Sequence, residues 1–149
     1  MEKPISQGLK NIFLVHAIIS GLLGLGLWLV PGKFLTLLGW VPQWVSLAES
    51  DVQVPGTTFV DAFITRLLGA ALLALAYSSV RGWRTSQWGE VALVVQLESV
   101  FCILGLVSMI WSLIQMQRSV PSIGYVLIVV LTGFSVAWFW ALRSHTKRE

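Results

Sequence analysis

Four stretches of this chain, residues 11–30, 58–80, 89–114 and 121–142, stay almost wholly apolar for about 20 residues or more. That is the length a helix needs to cross the ~30 Å hydrocarbon layer of a membrane. Lipid offers no partner to backbone amides, so such segments satisfy their hydrogen bonds internally and are helical. A soluble core cannot absorb this much apolar surface: of 149 residues 56% are hydrophobic and only 11% charged, against roughly 25% charged in ordinary soluble domains. The sequence therefore predicts one all-α integral membrane domain over residues 1–149, a four-transmembrane-helix up-down bundle. The connections at 81–88 and 115–120 are short, which makes consecutive helices antiparallel neighbours.

The connection between the first two spans is longer. It carries Phe34, Leu35, Leu37, Leu38, Trp40, Val41, Trp44, Val45 and Leu47, too apolar for a free aqueous loop and too interrupted by Gly and Pro to span. Residues 32–38 read as a short interfacial helix that lies in the headgroup plane and covers the outer mouth of the bundle. The next span opens on Thr58-Phe59-Val60-Asp61, the spacing of a capping box in which Thr58 caps the helix and Asp61 complements its dipole.

The formal charge of +3 is an orientation signal more than a nucleic-acid signal. Lys3, Lys10, Arg81, Arg84, Arg143, Lys147 and Arg148 fall at one set of helix ends, and only Lys33 and Arg118 at the other. By the positive-inside rule both termini are cytoplasmic, in a cell inner (plasma) membrane, with the lipid bilayer and no nucleic acid as partner. Trp28, Trp40, Trp44 and Trp111 then fall at the outer surface and Trp83, Trp88, Trp138 and Trp140 at the inner, as interfacial anchors.

Arg66 and Glu98 are the two ionisable residues deep within the apolar runs. Each costs on the order of 2.5–3.5 kcal/mol in lipid, so both should face protein and find partners. Eight residues separate Arg66 from Thr58, about 12 Å, and Glu98 lies about 12–14 Å from the opposite surface, so the two reach similar depths and are expected to pair. Ser20 and Thr132 fall near the same level, with His16 one turn closer to the cytoplasm. Small-residue stripes support the clustering: Arg66, Ala70, Ala74 and Ser78; Glu98, Cys102, Gly105 and Ser112; Gly133, Ala137 and Ala141; Ser20 and Gly24. Such a pair fixes helix register or forms a site for an ion, a proton or an anionic headgroup. Arg66, Glu98, His16, Ser20 and Thr132 are thus the candidate buried polar or ligand-binding residues.

No phosphate loop, serine elbow or His-Glu-x-x-His metal motif occurs, and Cys102 is a lone cysteine read as a small packing residue. No catalytic residue, metal or cofactor is assigned. His145 lies in a polar tail where exposure is the default.

The run Gly24-Leu25-Gly26-Leu27-Trp28 leading to Pro31, followed by Asp61, Arg66-Leu67-Leu68-Gly69-Ala70 and Leu73, resembles small bacterial four-helix membrane proteins, broadly DoxX-like. The resemblance spans roughly the first half of the chain and implies the same architecture, with no activity or site carried over. The functional expectation is a non-enzymatic accessory or self-associating membrane component, a homo-oligomer or part of a larger complex through its small-residue faces. The alternative is a binding or transport module for a small lipid-soluble or anionic ligand using the Arg66 and Glu98 pair, and a membrane-embedded enzyme comes third.

Overall fold

A computed structural model describes residues 4–47, 52–115 and 121–146. Lys3, Arg118, Lys147 and Arg148, and all but the first residue of the expected outer turn 115–120, lie outside the described residues. Five α-helices dominate: α1 (Gln7–Leu29), α2 (Pro31–Leu37), α3 (Ala62–Arg84), α4 (Trp88–Gln115) and α5 (Ser122–Thr146). All but α2 are long and apolar enough to cross a membrane. Each of those four leaves large apolar side chains on the outside, among them Leu22, Phe63, Leu93 and Val129. A surface of that kind suits lipid and not water.

Local chemistry sets the helix ends. Ser6 caps α1 by accepting from the Leu9 amide at 3.2 Å. The chain leaves helical geometry at Val30 because Pro31 follows, and Pro31 then starts α2 from a position where its missing N–H costs nothing. Helix α2 stops at Gly39, whose φ of 71° is the left-handed conformation that lacks a steric cost only for glycine. The short helix expected at 32–38 is thus present one residue earlier. The segment after it adds something the sequence reading lacked, an antiparallel pair of short strands, β1 (Trp44–Ser46) and β2 (Gln53–Pro55), with Val45 opposite Val54.

The start of α3 corrects an expectation. Residues 56–59 form a single 3-10 turn, and Asp61, not Thr58, is the N-cap, accepting from the amides of Phe63 and Ile64 at 2.9 and 3.0 Å. An Asp cap satisfies two otherwise orphaned amides and adds negative charge at the positive end of the dipole, so it outcompetes a threonine three residues earlier.

Helices α1 and α3 pack antiparallel and very closely. A Cβ on Gly69 would come within 2.8 Å of the Trp28 amide nitrogen, and one on Gly24 within 3.0 Å of the Gly69 carbonyl; at the far end Gly82 receives the Phe13 ring. Between membrane helices lipid removes the hydrophobic driving force, so such backbone approach supplies the attraction through van der Waals contact. The face of α3 used here is Gly69, Ala76, Ser79 and Gly82, while Arg66, Ala70 and Ala74 of the expected stripe are exposed. Helices α4 and α5 also run antiparallel, with Trp88 stacked on His145 at 4.1 Å and a Gly105 Cβ position 3.6 Å from Leu131. His145 is therefore engaged where exposure was expected.

One end of the molecule collects the start of α1, the α3–α4 turn and the end of α5. Ile5 donates to the Ser86 carbonyl at 2.9 Å, and Pro4 bridges Gln87. The dense apolar core occupies this half: Leu9, Phe13, Val91, Val95, Cys102, Trp138 and Ala141. Trp138, assigned from sequence to the interface, is fully buried with its ring 4.9 Å from that of Phe13. The other half has far fewer buried side chains, and there the helices enclose space beneath α2.

Candidate functional site

The buried face of α1 carries Leu9, Phe13, His16, Ala17, Ser20, Gly24 and Leu27, a three-and-four spacing that keeps one stripe turned inward. His16 and Ser20 are the polar members of that stripe. On α3 the same logic presents Ser79, and on α4 it presents Val91, Val95, Glu98 and Cys102. The four polar positions meet at the boundary between the dense core and the open half.

Glu98 is fully buried and receives the hydroxyls of Ser78 and Ser79, both at 2.8 Å on Oε1. His16 places Nδ1 2.8 Å from Ser79 Oγ and 3.3 Å from Glu98 Oε2, while Nε2 lies 3.4 Å from Ser20 Oγ. Helix α5 completes the shell through the edges of Phe134 and Trp138, 4.7 and 5.7 Å from the imidazole centre. His16 therefore touches α3, α4 and α5 from α1, and the chain Glu98, Ser79, His16, Ser20 is a continuous polar thread through an apolar interior.

The thread ends at a cavity of about 360 Å³. His16, Ser20 and Cys102 form its floor; Leu23, Phe101 and Leu131 are typical of its walls; Phe34, Leu35, Leu38 and Trp40, from α2 and the residues just after it, form a roof. Two close contacts hold that roof down. The Phe34 ring occupies the space that a side chain on Gly26 would fill, and Thr57 packs on Gly32. An apolar chamber with a few convergent polar groups at one end is the common form of a small-molecule site.

Of the residues singled out from sequence, the structure brings together Glu98, His16 and Ser20. Arg66 and Thr132 stand apart. Arg66 is exposed on the first turn and a half of α3, and Glu98 takes serines and a histidine instead, so the expected Arg66 and Glu98 contact is not formed. Helix α3 begins at Ala62, so Arg66 is only about 6 Å from its N-terminal end, and Ser79, which marks the level of Glu98, lies about 20 Å farther along the axis. Thr132 is exposed because it lies two residues, and so about half a turn, from Phe134 on the inward face of α5.

Ser79 was missed. Its signal was the pair Ser78-Ser79 within an apolar run, with Ser79 three residues from Ala76 and Gly82 on the close-packed face. Among the described residues no group of three or more His, Cys, Asp or Glu side chains is placed to hold a metal ion. Comparison of the chain with protein families, with functionally described proteins and with solved structures finds no match.

Proposed function

We propose that the protein is a multi-pass membrane protein that binds a small lipid-soluble molecule in the cavity beneath α2. One observation carries it: four long helices and a roofing segment enclose an apolar chamber whose floor presents His16 and Ser20. A void of this size would collapse or fill with lipid unless held open, and the close α1–α3 contact and the dense core below hold it open. The bound molecule lies with its polar group on the floor and its apolar body under Phe34 and Trp40. Arg66 has no part in this site.

The four long helices form an up-down bundle in an inner membrane with both termini cytoplasmic. Supporting this, Lys10, the Arg81 and Arg84 pair and Arg143 all belong to the end of the molecule where Ile5 meets Ser86. With Cys102 replaced, a cysteine at Ser86 is expected to resist an impermeant thiol reagent applied outside intact cells; labelling there would overturn the orientation. The DoxX-like resemblance of the first half fits the same architecture and adds no activity.

A second reading, a self-associating or accessory component, is favoured by Gly133, whose missing side chain leaves open space on α5. Purification in a mild detergent followed by solvent extraction and mass spectrometry separates the two. One lipid-soluble molecule per chain supports the cavity reading, whereas a stoichiometric protein partner with no small molecule supports association.

A further inference from the structure

We infer that the molecule held in the cavity is a lipid-soluble alcohol or phenol, docked through a hydroxyl that donates to His16 Nε2 and accepts from Ser20 Oγ. This rests on the cavity-binding reading and names the ligand class.

The hydrogen-bond partners of the imidazole decide which of its nitrogens carries the proton. Glu98 Oε2 has no hydrogen bond among the described residues and faces Nδ1 at 3.3 Å. A lone pair on Nδ1 would point at the lone pairs of that oxygen, whereas an N–H would be attracted to it. Ser79 gives the same answer. Its hydroxyl has one proton and two close partners, Glu98 Oε1 and His16 Nδ1, each at 2.8 Å. If that proton goes to Oε1, Nδ1 must be the donor to Ser79 Oγ.

The rest of the thread agrees. Ser78 Oγ lies 2.8 Å from both the Leu75 carbonyl and Glu98 Oε1. Ser78 and Ser79 both donate to Oε1, so Glu98 Oε2 is the oxygen left to accept from Nδ1–H, and with His16 neutral Nε2 is left as an acceptor.

The floor then shows the ligand one strong acceptor, Nε2, beside one hydroxyl, Ser20, that both gives and takes. The present Ser20 to Nε2 distance of 3.4 Å is at the weak end for a hydrogen bond, so both atoms have capacity to spare. A hydroxyl satisfies both. An ether or ketone satisfies only Ser20 and leaves Nε2 buried without a donor, which costs binding.

The test uses the full chain in detergent with radiolabelled lauryl alcohol, and lauryl methyl ether as competitor, affinities being referred to concentration in the micelle phase. Methylation removes the donor and keeps the chain and the acceptor oxygen. The parent protein is expected to prefer the alcohol by about tenfold, a typical net value for one buried hydrogen bond. In Glu98→Gln the two serine hydroxyls hold the amide oxygen at the Oε1 position, the NH2 faces Nδ1 and donates to it, and Nε2 becomes an N–H donor, so the preference falls toward unity. Far-ultraviolet circular dichroism and the melting temperature verify that this isosteric variant is folded. Equal affinity of alcohol and ether in the parent, or an unchanged preference in folded Glu98→Gln, would overturn the assignment while leaving the cavity reading intact. Failure of both compounds to bind would overturn the cavity reading itself.

Discussion

Replacing Glu98 by Leu removes the centre of the polar thread, and the structure sets what this costs. Two serine hydroxyls at 2.8 Å are lost, each worth about 0.5–1.5 kcal/mol net, so the hydrogen-bond loss is about 1–3 kcal/mol. The larger penalty of about 3–5 kcal/mol for a broken buried ion pair is avoided because no donor is stranded: Ser78 still reaches the Leu75 carbonyl and Ser79 still reaches His16. Arg66→Leu, at an exposed position, should change stability by no more than about 0.5 kcal/mol. The double variant should equal the sum within about 0.5 kcal/mol, since the two sites share no partner. Ser79→Ala with Glu98→Leu should instead be non-additive by about 0.5–3 kcal/mol, because each single change removes the same hydrogen bond. Reversible unfolding of all five variants and the parent in mixed micelles, followed by circular dichroism, gives these numbers. Coupling above about 1 kcal/mol between Arg66 and Glu98, or strict additivity between Ser79 and Glu98, would refute the assignment of partners.

Gly69→Ala should destabilise by about 1–3 kcal/mol, since the new methyl meets the Trp28 amide and the Gly24 carbonyl, both backbone groups; Gly133→Ala, with nothing within 4 Å, should be nearly neutral in the same unfolding assay. Asp61→Ala should cost about 1 kcal/mol through loss of the α3 cap, and Asp61→Asn should recover most of it.

The four long helices were legible because length and hydropathy alone make a span, and α2 because apolar residues between Pro31 and Gly39 had no other use. The strand pair was not legible: Trp44–Ser46 and Gln53–Pro55 are three residues each, too short for alternation to register. Three of the four residues of the polar thread could be read, since Glu98, His16 and Ser20 are conspicuous in apolar surroundings. Its partners could not. Four residues of error at the start of α3 moved Arg66 about 6 Å deeper than it lies, part of the roughly 20 Å along α3 that separates it from the level of Glu98. Helix rotation was the second gap, for a stripe of Ala70 and Ala74 looks as suited to packing as Gly69 and Ala76 until the neighbouring helix is known. The cavity has no local signal, because its walls are ordinary apolar residues from four helices and the segment after the first.

The central claim is tested most directly by filling the chamber. Gly105 lines it, and a Cβ there meets only Leu131 at 3.6 Å, so Gly105→Ala fits without displacement while Gly105→Phe projects a ring into the space. Native mass spectrometry of the parent and both variants, purified in one mild detergent, reads the mass bound to each chain. The parent and Gly105→Ala are expected to carry one small lipid-soluble molecule per chain, and Gly105→Phe to lose it with helix content and melting temperature retained. The same bound mass on Gly105→Phe, or none on any of the three, would contradict the account.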